Sequence, residues 1–125
     1  MENQSKFQVY TNRLGPTDTA WPAATAMETD DVAGESSSSS VNTTDPIAQT
    51  DPAGNVTLIW RKETGTRFDL WSRRWTGGSW GTAVLIETHD TNDVEYPALA
   101  VGAGGTAVAA WDYDGTYDVW ANVLR

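Results

Sequence analysis

The stretch Arg67-Phe68-Asp69-Leu70-Trp71-Ser72-Arg73-Arg74 decides the fold, because the chain carries its pattern three times. It stands upstream as Lys6-Phe7-Gln8-Val9-Tyr10-Thr11-Asn12-Arg13 and downstream as Thr116-Tyr117-Asp118-Val119-Trp120-Ala121-Asn122-Val123, at spacings of 61 and 49 residues. Two further elements repeat in step with it. Ala20-Trp21-Pro22 through Glu28-Thr29 matches Ser79-Trp80-Gly81 through Glu87-Thr88, and Asp45-Pro46-Ile47-Ala48 through Trp60 matches Tyr96-Pro97-Ala98-Leu99 through Trp111. The first spacing is longer because an insertion around Gly34-Glu35 and Ser36 to Ser40 lengthens one loop. A unit of about 50 residues is a repeat architecture, whose members stack to bury a shared core.

Every element reads as a strand. Each is short, rich in branched and aromatic residues, and bounded by Gly, Pro, Asp and Ser. No window sustains an apolar period of 3.6, so little or no helix is expected. Tight turns at Asp51-Pro52-Ala53-Gly54-Asn55, Thr76-Gly77-Gly78-Ser79, Gly102-Ala103-Gly104-Gly105 and Asp114-Gly115 join antiparallel neighbours. With the strands of a unit lettered a to d, the chain reads c-d, a-b-c-d, a-b-c, nine strands in all. The units span about 6–31 (partial), 45–90 (full) and 95–125 (partial), with a Ser-rich loop at 32–44.

Both faces of these strands are apolar. Phe68 and Leu70 oppose Trp71 and Trp75, Tyr117 and Val119 oppose Trp120 and Leu124, and Ala83-Val84-Leu85-Ile86 is apolar throughout. A sandwich strand shows one face to water, whereas sheets stacked in series are covered twice. The expected fold is therefore all-β: two four-stranded antiparallel propeller blades plus an extra strand. The alternative is a nine-stranded β-sandwich. Two blades cannot close a ring, so homo-oligomerisation is expected, with a trimer of six blades favoured over a tetramer or a filament.

The Trp80 position before the outermost strand, the Pro-x-x-Ala step and the aromatic-Asp-x-Trp run resemble kelch-like β-propeller blades. They also resemble the propeller repeats of large bacterial surface proteins, over residues 6–125. That resemblance implies a propeller and specifies no activity; an extracellular surface or a virion is the expected location. The kelch double glycine is absent, with Ile59-Trp60 and Ala110-Trp111 in its place. Asp51 to Thr57 matches the sialidase Asp-box only in part, so sialidase chemistry is not carried over.

Composition narrows the function. The 125 residues hold 8 basic and 17 acidic side chains, a net charge of −9, which disfavours nucleic acid and anionic membranes as partners. The longest apolar run, Ala107 to Trp111, is too short to span a bilayer, and Met1 to Ser5 does not open a signal peptide. With no cysteine and one histidine, thiolate chemistry and zinc clusters are excluded, and no nucleophile elbow or phosphate loop occurs. No enzyme is expected. Strand order puts twelve of the seventeen acidic residues in loops at one end of the units. There Asp90, Asp93 and Glu95 form a candidate calcium site, and Asp112, Tyr113, Asp114 and His89 a candidate glycan site with Tyr113 as an exposed platform. The expected function is a lectin-like, non-catalytic module that binds a polar ligand, a glycan, on this loop face. The competing reading is a structural assembly protein.

Overall fold

The structure, a computed structural model, describes residues 8–27, 43–64, 67–88, 91–116 and 118–125. These form ten strands and no helix: β1 (Tyr10–Thr11), β2 (Thr25–Ala26), β3 (Thr43–Thr50), β4 (Val56–Thr64), β5 (Arg67–Thr76), β6 (Ser79–Trp80), β7 (Val84–Leu85), β8 (Val94–Val101), β9 (Ala107–Tyr113) and β10 (Val119–Leu124). All pairings are antiparallel, in three sheets: β1-β2, β3-β4-β5-β6 with β7 also on β5, and β8-β9-β10. Each meander keeps to its own sheet, and no sheet closes on itself.

The pairing registers recur from unit to unit. Tyr10 lies opposite Ala26 and Thr11 opposite Thr25, as Trp71 lies opposite Leu85 and Ser72 opposite Val84. The Met27 N–H donates to Val9 O and the Ile86 N–H to Leu70 O, both at 2.9 Å. The β3–β4 and β8–β9 pairs also share their register, including a bulge between Thr44 and Ile47 and its counterpart between Glu95 and Ala98. Asp45 (φ 54°) and Tyr96 (φ 47°), each just before a proline, take up the left-handed backbone at the two bulges. At these positions the repeated residues occupy equivalent places in their strand pairs.

The period of two in a strand divides the core. On one face of the second sheet, Leu58 and Trp60 bury Val9 and Met27 of the first sheet. On the other, Ile59, Leu70 and Ile86 pack with Val94, Ala109, Trp111 and Tyr113 of the third. The second sheet is thus covered on both faces. The outermost strand of the full unit is split into β6 and β7 around Gly81, and Val84 and Leu85 are exposed. Among the described residues only β5 pairs with it, and its apolar run is not buried on both faces.

The turns tie the sheets together. Within the β3–β4 turn the Asn55 N–H and Nδ2 donate to the two oxygens of Asp51, each at 2.9 Å. Arg74 of β5 reaches across to donate to Gly105 O in the β8–β9 turn of the next sheet. Gly105 holds a left-handed backbone (φ 79°) that favours glycine, and a Cβ there would stand 3.2 Å from Asp51 Oδ2 and 3.3 Å from Arg74 Nη2, close enough to press on both side chains. The Asn55 side-chain hydrogen bond, and after it backbone N–H groups and Arg74, hold the Asp51 carboxyl below its ordinary value of 3.8 against the opposing cost of burial. A depressed folded-state pKa adds stability above the unfolded-state value, and loses it as pH falls through the folded-state value. Asp51→Asn is therefore expected to lower the urea midpoint at pH 7. The gap to wild type closes as pH falls below 3.8. Equal midpoints at pH 7 would remove this role.

Candidate functional site

The acidic end holds part of the expected site. His89 and Asp90 lie outside the described residues. Tyr113 is not an exposed platform. It is 2% exposed, donates its hydroxyl to Glu87 Oε2 at 3.0 Å and meets Trp111 and Trp120 edge-on. The physical reason is register: β9 runs through Tyr113, which shares the inward face of Ala109 and Trp111. Asp112 faces the other way, across from Glu95, and its Oδ1 is buried with no hydrogen-bond partner. Asp93 spends one oxygen on the chain, accepting from the Phe68 N–H at 2.8 Å. Its carbonyl accepts from the Asp114 N–H at 2.9 Å, and Asn92 Nδ2 donates to Asp114 O at 2.6 Å. These bonds order the loop. Among the described residues, no group of three or more His, Asp or Glu side chains is placed to hold a metal ion.

A more specific arrangement sits at the opposite end, between the first and second sheets. There a cleft of about 680 Å³ is lined by Trp21, Trp75, Trp80, Arg13, Asn12 and Thr50, among others. Trp75 is the penultimate residue of β5, and the Gly77-Gly78 turn, both glycines at positive φ, brings Trp80 directly opposite it. Their rings meet edge to face at 5.8 Å and 73°. Arg13 lays its guanidinium 5.7 Å from the Trp75 ring centre and, among the described residues, makes no ion pair. Asn12 braces the rim. Its Nδ2 donates to Pro22 O at 2.7 Å and its Oδ1 accepts from the Arg13 N–H at 2.9 Å. Trp21 is 64% exposed, so an apolar ring faces solvent beside the half-buried pair.

The same gap recurs between the second and third sheets as a cleft of about 410 Å³, lined by Arg73, Arg74, Gly81, Thr82, Asn122 and Leu124. Leu124 occupies there the place of Trp75. A third cleft, about 520 Å³, lies at the two bulges, where Arg61 Nη1 pairs with Asp45 Oδ2 at 2.8 Å beside Glu95 and Tyr96. Only the first of these three carries tryptophan. Aromatics at repeating strand positions read as core from the sequence, which hides this cleft. The available signal was Trp75, which stands where the other two units have Leu14 and Leu124.

Flat aromatic faces with a cation and a few amide and hydroxyl groups at the rim suit a ligand with one apolar face and a polar edge. Compared with protein-family models, curated proteins and solved structures, the chain matches none.

Proposed function

We propose that this chain is a non-catalytic, lectin-like module and that its sugar seats in the tryptophan cleft between the first two sheets. The observation that carries this reading is the convergence of Trp21, Trp75 and Trp80 with Arg13 on one cavity. A pyranose presents C–H groups to a ring face and hydroxyls to Arg13, Asn12 and Thr50. Stacking and rim hydrogen bonds of this kind are individually weak, so useful affinity comes from several sites on one assembly. The sheets are read as β-propeller blades, completed into a ring by self-association, with three chains supplying six blades. The uncovered apolar face of the third sheet supports that step and equally favours the second reading, a structural protein whose function is assembly.

A glycan array probed with the full chain tests the sugar reading, followed by titration of any hit. Trp75→Ala is expected to weaken binding at least tenfold, while Tyr96→Ala, in the cleft at the bulges, leaves it unchanged. An array without hits overturns the sugar reading, and binding lost with Tyr96 but kept without Trp75 overturns the site.

A further inference from the structure

The tryptophan cleft has a smaller counterpart between the second and third sheets, about 410 Å³ against about 680 Å³. Arg13 and Arg74 hold the same place in the repeat, and so do Gly54 and Gly105. In the second interface this pair is joined. Arg74 Nη2 donates to Gly105 O, and the Asp51 carboxylate stands beside the same glycine. In the first interface no such bond forms. Arg13 and Gly54 both line the cleft, yet the Arg13 guanidinium has neither a hydrogen bond nor an ion pair among the described residues. What holds it is the Trp75 ring, whose centre lies 5.7 Å away.

The charge around it is one-sided. The chain has 17 acidic residues against 8 basic ones, yet no carboxylate is among the described residues lining either cleft. The cleft at the bulges, by contrast, contains Asp45 and Glu95. Two carboxylates do stand in the turns at the tryptophan end, and the turns themselves hold them. Asp18 Oδ2 accepts from the Gly15 N–H at 2.6 Å, and Asp51 accepts from the Asn55 N–H and Nδ2. A guanidinium is a fork of N–H donors with no acceptor and keeps its charge at any working pH. An ionised acceptor bonds it roughly twice as strongly as a neutral one.

Resting on the sugar reading of this cleft, we propose that its ligand is an acidic sugar, a unit with a single carboxylate that pairs with Arg13 while its ring stacks on the tryptophans. The carboxylate takes the part that Gly105 O plays for Arg74. A planar carboxylate matches the guanidinium edge through two parallel N–H···O bonds, and the Trp75 ring steadies the cation that receives it. Asn12, bonded to Pro22 O and to the Arg13 N–H, fixes the backbone from which that side chain reaches. One charge is the fitting number. Screening confines repulsion from the other acidic residues to about 8 Å at physiological salt, whereas a polyanion extends past that distance and meets the chain's net charge of −9.

The full chain is titrated with neutral oligosaccharides, with the same oligosaccharides ending in a uronic or sialic acid, and with heavily sulfated chains. The methyl ester of each acidic probe removes the charge and keeps the shape. The acids are expected to bind more tightly than their esters by about tenfold or more. Arg13→Gln abolishes that difference, Arg13→Lys restores part of it, and Trp75→Ala weakens acid and ester alike. Arg13 is exposed, so both of its variants keep the wild-type circular dichroism spectrum. Esters or neutral probes bound as tightly as the acids, and still dependent on Trp75, overturn the carboxylate and leave the sugar reading standing. An acid preference that survives Arg13→Gln overturns the assignment to Arg13, and a preference for sulfated chains overturns the single charge. No binding by any probe overturns the sugar reading and this inference together.

Discussion

Trp60→Ala is expected to lower the unfolding free energy by about 3–5 kcal/mol, the cost of deleting a fully buried indole whose surroundings relax only in part. Trp60 is 0% exposed and sits where Val9, Met27 and Leu58 converge, with Trp71 directly opposite it on β5. Small domains are stable by about 5–15 kcal/mol in total, so the loss takes a large share of the margin. It also acts on one interface before the other. The first sheet, with two register pairs of its own, depends on this contact and is expected to lose hydrogen-exchange protection first. Urea denaturation read by intrinsic fluorescence and by circular dichroism checks the magnitude. A loss below about 1 kcal/mol would mean that Trp60 is not the keystone of the first interface.

Ala109→Leu is expected to cost about 1–3 kcal/mol by overpacking, and Leu70→Val to recover part of it. The two interfaces divide their apolar volume differently at equivalent positions. In the first, a large Leu58 stands with a small Val9. In the second, a small Ala109 stands with a large Leu70. The apolar volume is held by opposite members of the pair. Each single substitution leaves one side mismatched: Ala109→Leu crowds a site with 0% exposure, and Leu70→Val opens a gap. Together they rebuild the packing of the first interface within the second. A double-mutant cycle should return a favourable coupling of about 0.5 kcal/mol or more, and simple additivity would show that the two side chains do not share a volume.

Much of the architecture was legible because repetition and a period of two are local properties. Which strands exist, their order c-d, a-b-c-d, a-b-c, and the burial of both faces of β4 could be read from residues such as Leu58, Ile59 and Trp60, since adjacent side chains on a strand point oppositely. Three things could not. The outer strand is split into β6 and β7, and Val84 and Leu85 stand in solvent where, among the described residues, only β5 pairs with them. Tyr113 reads as a loop residue between two aspartates, yet hydrogen bonding between β8 and β9 extends through it and turns its ring inward. The tryptophan cleft depends on how far two sheets from separate repeats stand apart at one end. Trp21 and Trp75 are 54 residues apart in the chain, and no pattern along it measures their approach. The sequence by itself determined the class, the repeat and the strand order, because they rest on neighbouring residues and turn chemistry. Only the tertiary structure decided which aromatics are core and which line a cavity, because that depends on the packing of one sheet against the next.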